Sequence, residues 1–270
     1  MGNRRIGRKR LKSVLKKLNA TSADSTGSRS GQTGFDMPAY ELQPAKYFGF
    51  FDDFLTPMGS VGLAQDEDLA QATAIDSLVW RTNVDGSSDT ITLDNAYTGG
   101  VMEILHGTSD NEETHMTAIN AGFAFDASSP RKLWLTCRIQ TSDISGTGFF
   151  IGLASAAGSE ETDGNDLEDS CGFYVVDGAA STDLTLLTSV GDSETSTSLS
   201  TAVADDTWMT LSWYFNGSEV AAYVNGTKKA TTALNLPTDG TIVFPAIHAA
   251  AREGAANTIS VDYIRICMER

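Results

Sequence analysis

No run of 18 or more apolar residues occurs in the 270-residue chain, which leaves no candidate for a spanning helix. Cysteine is scarce. Cys137, Cys171 and Cys267 are odd in number, widely separated and set in strand-like apolar surroundings such as LTCRI and YIRICM. That excludes a disulfide framework and leaves buried free thiols as the expectation. The three histidines, His106, His115 and His248, show no ligand spacing with one another or with the cysteines, so no catalytic zinc is expected. G-x-S-x-G, a Walker loop and G-x-G-x-x-G are also missing.

Base is in short supply as well, but unevenly. The chain holds 19 Lys/Arg against 35 Asp/Glu, a formal charge of −16. Residues 1–20 carry eight of the bases (Arg4, Arg5, Arg8, Lys9, Arg10, Lys12, Lys16 and Lys17) and no acid. The remaining 250 residues therefore hold 11 bases and 35 acids, a charge of −24. A basic tail is joined to an acidic body. The tail lacks the apolar core of about 7–15 residues that a secretory signal needs. Ile6 stands where N-myristoylation wants Ser or Thr. Its composition is compatible with an organelle transit peptide. Leu11, Val14, Leu15 and Leu18 fall at helical spacing, which makes a short basic amphipathic segment. Such a segment is marginal alone and orders best on a partner. A mobile solubilising arm, an acidic protein surface, and nucleic acid or lipid remain open for it.

ATSADSTGSRSGQTG, residues 20–34, is small, polar and Gly-rich, the composition of a flexible linker. We divide the chain into an arm and linker over 1–31, an extended connecting segment over 32–46 and one body over 47–270. The body reads as strands throughout. In KLWLTCRIQT, Leu133, Leu135, Cys137 and Ile139 alternate with Lys132, Trp134, Thr136 and Arg138. In TWMTLSWYF, Met209, Leu211, Trp213 and Phe215 share a face, the period of two that marks a half-buried strand. About 13 short strands with frequent turns predict an all-β fold of two antiparallel sheets. Asn216-Gly217 and Asn225-Gly226 supply the positive φ angles of type I′ hairpin turns, which predicts a three-stranded meander from Trp208 to Thr232.

DTWMTLSWYFNGSEVAAYVNGTKKAT resembles the W…L…W…G…Y.NG stretch of laminin-G-like and concanavalin-like jelly rolls. ISVDYIRI is similar to the closing VDYVRV strand of the same superfamily, which includes the family 16 glucanases. The resemblance covers about residues 47–270 and implies a jelly-roll sandwich. It says little of function, because this fold serves lectins, hydrolases and structural modules alike. The opening MGNRRIGRKRL, with ELQPAKYFGFFDDFL, resembles virion structural proteins of marine tailed bacteriophages, particularly those of cyanobacteria. That implies a capsid-associated protein of decoration (cement) or head-fibre type.

Glycosidases of the glucanase type need two carboxylates on one strand face, about 5 Å apart in a retaining enzyme, and alternate positions deliver them. No E-x-D-x-E occurs here. The acidic stretch GSEETDGNDLEDS reads as a loop. Asp163, Asn165, Asp166 and Asp169 within it are a weak calcium candidate, the alternative being a solvated loop. Asp110, Asn111, Glu112 and Glu113 read the same way. Otherwise no cofactor and no metal are expected. Trp134, opposite the core face of its strand, is the best candidate for stacking on a glycan, with Trp80 and Tyr97 weaker. Packing against another strand, the tail segment or a second subunit is the alternative for Trp134. A body of −24 disfavours nucleic acid except through the arm.

The sequence thus leads to a non-enzymatic virion structural protein. Arg4, Arg5, Arg8, Lys9, Arg10, Lys12, Lys16 and Lys17, with apolar contacts from Leu11, Val14, Leu15 and Leu18, would anchor it to a major capsid protein or other virion proteins. It would sit on the capsid, with homo-oligomers and glycans as further partners and no membrane. A carbohydrate-binding adhesin on the virion surface is the second reading.

Overall fold

The computed structural model describes residues 45–54, 80–84, 89–94, 100–106, 113–118, 120–126, 131–155, 167–175, 182–191, 193–251 and 256–270. The arm, the linker and most of the connecting segment lie outside the described residues. The elements are β1 (Tyr47–Asp52), β2 (Arg81–Val84), β3 (Thr90–Asp94), β4 (Val101–His106), β5 (Glu113–Thr117), β6 (Phe123–Asp126), β7 (Leu133–Thr141) and β8 (Thr147–Ala154). There follow β9 (Ser170–Val175), β10 (Asp183–Val190), β11 (Ser193–Ala202), β12 (Met209–Phe215), β13 (Val220–Val224), β14 (Thr227–Thr232), β15 (Asp239–Ala251) and β16 (Asn257–Glu269). Among the described residues the only helix is a single 3-10 turn, Ile144–Gly146.

These strands form a two-sheet antiparallel jelly-roll sandwich, as the alternation and the resemblance imply. Sheet one runs β14-β13-β12-β7-β16-β4-β3, with β1 also paired to β16. Sheet two runs β11-β10-β9-β8-β15-β5-β2, with β6 also paired to β15. The core fills the space between them. Leu133, Leu135, Cys137 and Ile139 of β7 and Met209, Leu211, Trp213 and Phe215 of β12 all join it. From sheet two come Phe149, Ile151 and Leu153 of β8 and Cys171, Phe173 and Val175 of β9. Alternate residues of the central strands join this core, while β8 and β9 are buried on both faces, their other face forming a second cluster with Phe150, Tyr174, Leu187 and Ala246.

The predicted meander is present as β12-β13-β14, but its two turns differ. Asn225 and Gly226 have φ of 50° and 75°, as a type I′ turn requires. Asn216 does not adopt positive φ. Its Oδ1 accepts the backbone N–H of Ser218 (2.9 Å) and Glu219 (3.0 Å), an Asx turn in a four-residue connection, which corrects the first expectation. In β16 the register shifts between Val261 and Tyr263. This bulge lets Val261 and Ile264 both face the core while Asp262, Tyr263, Arg265 and Cys267 face outward.

Candidate functional site

The sandwich has two outer faces, and they treat the expected residues differently. On sheet one, alternation places Trp134 outward as read from the sequence. It is 6% exposed, stacked on Tyr214 (centroids 5.2 Å) and met edge-on by Tyr47 (6.0 Å), with Cys267 beside it. Tyr47 and Tyr214, outward side chains of β1 and β12 in the same sheet, pack against it. Trp134 is thus a packing residue and not an open sugar platform. Trp80 is 1% exposed and donates its Nε1–H to Asp52 Oδ2 at 2.7 Å. Tyr97, the arm residues from Arg4 to Leu18, and Asp163, Asn165 and Asp166 lie outside the described residues. Asp169, their fourth partner, is buried and accepts from the Gly191 backbone N–H at 3.3 Å, so its carboxylate is tied to the β10–β11 turn. Among the described residues no group of three or more His, Cys, Asp or Glu has metal-holding geometry.

The outer face of sheet two holds the constellation that the sequence did not reveal. Strand pairing sets His115 of β5 opposite His248 of β15, then Phe150 of β8, Tyr174 of β9 and Thr185 of β10, in one rank across five strands. The adjoining rank is Glu113, Ala250 and Gly148. Small residues in the second rank and large ones in the first make a recess. Its floor is Gly148 and Ala250, and its walls are Glu113, His115, His248, Phe150 and Tyr174. As it stands it has room for about one water molecule. Gly172 and Gly152 lie opposite one another on the far side of the Phe150 ring. A Cβ on Gly172 would stand 2.5 Å from Phe150 Cε2 and Cζ, so the ring rests directly on this glycine pair.

The recess is polar chemistry in an apolar setting. His115 Nε2 and Glu113 Oε2 are 2.7 Å apart, with side chains 12% and 8% exposed. The His115 and His248 rings meet edge to face at 4.4 Å, and Phe150 lies 5.6 Å from His248. Burial, with the His115 ring as a second cause, holds His248 well below the usual imidazole range, so it is neutral. Three buried polar atoms here have no hydrogen-bond partner among the described residues: Glu113 Oε1, His115 Nδ1 and His248 Nδ1. A carboxylate only accepts. The hydrogen bond between Glu113 and His115 is therefore donated by Nε2, while each Nδ1 donates or accepts according to the tautomer of its ring. Each unsatisfied buried group costs about 1–3 kcal/mol. A ligand carrying hydrogen-bonding groups would relieve that cost.

Glu113 was expected in a solvated acidic loop. The structure instead places it at the start of β5 with 6% exposure, because pairing with β15 turns it toward the sheet face. His106 takes no part; it is buried between the sheets with Nε2 3.3 Å from Thr147 Oγ1. Outward positions on β9, the neighbour of β8, are Ser170, Gly172 and Tyr174. Among the described strands no two carboxylates stand at alternate positions.

No protein-family model matches the chain, and no curated protein matches it in sequence. Solved structures do match its fold. A protein of unknown function from Shewanella oneidensis MR-1 is similar with a TM-score of 0.52 at 18% identity, over 87% of this chain and 95% of that one. A family 16 endo-glucanase from Bacteroides ovatus reaches 0.53 at 11% identity, over 80% and 99%. A β-1,3-glucanase from Mycobacterium marinum reaches 0.51 at 15% identity, over 80% and 97%. These matches overturn the expectation of a chain that is not an enzyme, since the sandwich it shares is that of glycoside hydrolases. At such identities the likeness carries the fold, and the chemistry must be read from this chain's own residues.

Proposed function

We propose that the chain is a carbohydrate-directed jelly roll of a virion surface, which engages sugar hydroxyls at the sheet-two recess and is anchored through its basic arm. The observation that carries the carbohydrate reading is the set of three buried polar atoms with no partner among the described residues, Glu113 Oε1, His115 Nδ1 and His248 Nδ1, facing one recess. Sugar hydroxyls both donate and accept, and so can satisfy such atoms. Fold neighbours that are glucanases support carbohydrate as the ligand class. The recess admits one hydroxyl at a time, so a sugar chain would lie across the face and insert a single group. Placement on a virion rests on the resemblance of the N-terminal residues, and the +8 arm suits an acidic shell.

A panel of neutral β-glucan oligosaccharides titrated into the full chain by calorimetry tests the site. Saturable binding is expected, weakened by at least about tenfold, or 1.4 kcal/mol, in Glu113→Gln and in Ala250→Leu, which fills the floor. Absence of saturable binding across the panel would defeat the reading. Measuring reducing ends in the same mixtures reports whether binding leads to hydrolysis. For the arm, deletion of residues 1–31 is expected to abolish co-purification with particles, and unchanged occupancy would defeat the anchoring role.

A further inference from the structure

The recess on sheet two is small, and its size limits what can enter. It has room for about one water molecule, which is close to the size of a protonated primary amine. Glu113 Oε1, His115 Nδ1 and His248 Nδ1 face it without a partner among the described residues. The first of these can only accept. What a hydroxyl and an ammonium group each offer the three atoms separates the two as ligands.

A hydroxyl has one hydrogen to give. Once that goes to Glu113 Oε1, both imidazoles must donate to it through Nδ1. His115 already donates from Nε2 to Glu113 Oε2 at 2.7 Å, so its ring would have to hold a proton on each nitrogen. An ammonium group has three hydrogens. It supplies Glu113 Oε1 and both Nδ1 atoms while each ring stays neutral, the form in which burial keeps His248. Its bond to Glu113 joins two charges, and is stronger than one from a hydroxyl.

The surroundings favour a cation as well. The strands of sheet two hold one base, Arg81, against five acids, Glu113, Asp126, Asp183, Glu194 and Asp239. Arg81 pairs with Thr117, four residues along β5 from Glu113 and so about 13 Å away. Residues 21–270 carry a charge of −24, which draws cations toward the body. A metal ion is a poorer occupant than an amine. An ion such as zinc needs its nitrogen and oxygen ligands at about 2.0–2.2 Å, and no group of three or more described His, Cys, Asp or Glu has metal-holding geometry. Hydrogen bonds from an ammonium group, at about 2.7–2.9 Å, span a wider triangle.

We propose that the recess takes a protonated primary amine, and that the glycan bound there is an amino-sugar chain with free amines. This rests on the carbohydrate reading of the recess and narrows it. An acetylated amine does not suit the site, because it is larger than the recess and has a single N–H to give.

Calorimetry on the full chain, in mildly acidic buffer, compares β-linked trimers of glucosamine, N-acetylglucosamine and glucose, with trilysine as a peptide that carries similar charge. The glucosamine trimer is expected to bind at least about tenfold more tightly than each of the others. Glu113→Gln and Ala250→Leu should each weaken it by at least about tenfold, the second by filling the floor without changing the charge. Equal affinity for the glucosamine and glucose trimers would overturn the inference and leave the carbohydrate reading standing. No binding by any of the sugars would remove both. Undiminished binding in Ala250→Leu would mean attraction by net charge alone, and trilysine binding as tightly as glucosamine would mean an amine carried by a peptide; either result overturns the proposal. Glu113→Gln keeps the size and shape of the side chain, so failure of Ala250→Leu to fold still leaves a decisive variant.

Discussion

His248 makes the stability of this protein depend on pH in a window where ordinary carboxylates are already ionised. Its imidazole is buried on sheet two, facing His115 and Glu113 of β5, Phe150 of β8 and Tyr174 of β9, and burial holds its folded-state pKa well below the usual imidazole range. The unfolded chain therefore takes up a proton near pH 6.5 that the folded chain refuses. Stability is complete above that pH and declines as pH falls toward the folded value. For one such group the loss between pH 7.5 and 5.5 is on the order of 1 kcal/mol, a sizeable share of the 5–15 kcal/mol typical of a domain. Urea unfolding followed by tryptophan fluorescence at both pH values measures it directly. The same pair of curves for His248→Gln supplies the reference, since every other titrating group contributes alike to both proteins. The wild type should lose on the order of 1 kcal/mol more than the variant over this range. Equal losses in the two proteins would refute the assignment of a buried neutral imidazole.

Three further outcomes follow from the packing. Gly172→Ala sets a Cβ 2.5 Å from Phe150 Cζ and 2.8 Å from the Ile151 carbonyl oxygen, and should cost about 1–3 kcal/mol in urea unfolding; a neutral result would mean the ring does not rest on that glycine. Trp134→Ala removes a 6%-exposed indole from between Tyr47 and Tyr214 and should cost about 3–5 kcal/mol, whereas loss below about 1 kcal/mol would restore Trp134 as an exposed platform. Cys137, Cys171 and Cys267 are buried, and desolvation pushes the first two thiols far above their usual range, so none should react with a thiol reagent until the chain is unfolded.

The strands and the core were legible because they rest on local alternation. Leu133, Leu135, Cys137 and Ile139 share the core face whatever lies opposite them. The recess was not legible, because register between distant strands decides it. His115 and His248 are 133 positions apart, and nothing in ETHMT or FPAIHAA separately says that β5 and β15 pair with these two residues opposite. Glu113 misled for a related reason. It closes the acidic stretch DNEE, yet one residue's shift between loop and strand moves its carboxylate from water to the sheet face. Trp134 shows the limit of alternation from the other side. Alternation correctly turned it away from the core, but outward rings from other strands of the same sheet, here Tyr47 and Tyr214, pack around it.

The same register argument bears on what reaction this sandwich can support. Hydrolysis of a glycosidic bond by two carboxylates needs them on one face, about 5 Å apart for retention or roughly 6.5–9.5 Å for inversion. On sheet two, β9 offers Ser170, Gly172 and Tyr174 outward, and the recess offers one carboxylate, Glu113, already joined to His115. A hydrolase built on this face would therefore take its proton transfers through Glu113 and the two imidazoles. Two signatures follow if reducing ends are released from a glucan. Glu113→Gln would abolish the release, and His248→Gln would alter its pH profile on the acid side, where the buried ring resists protonation. A two-carboxylate enzyme would keep its profile in His248→Gln. Activity with an unchanged profile in that variant would thus place the reacting groups outside the recess.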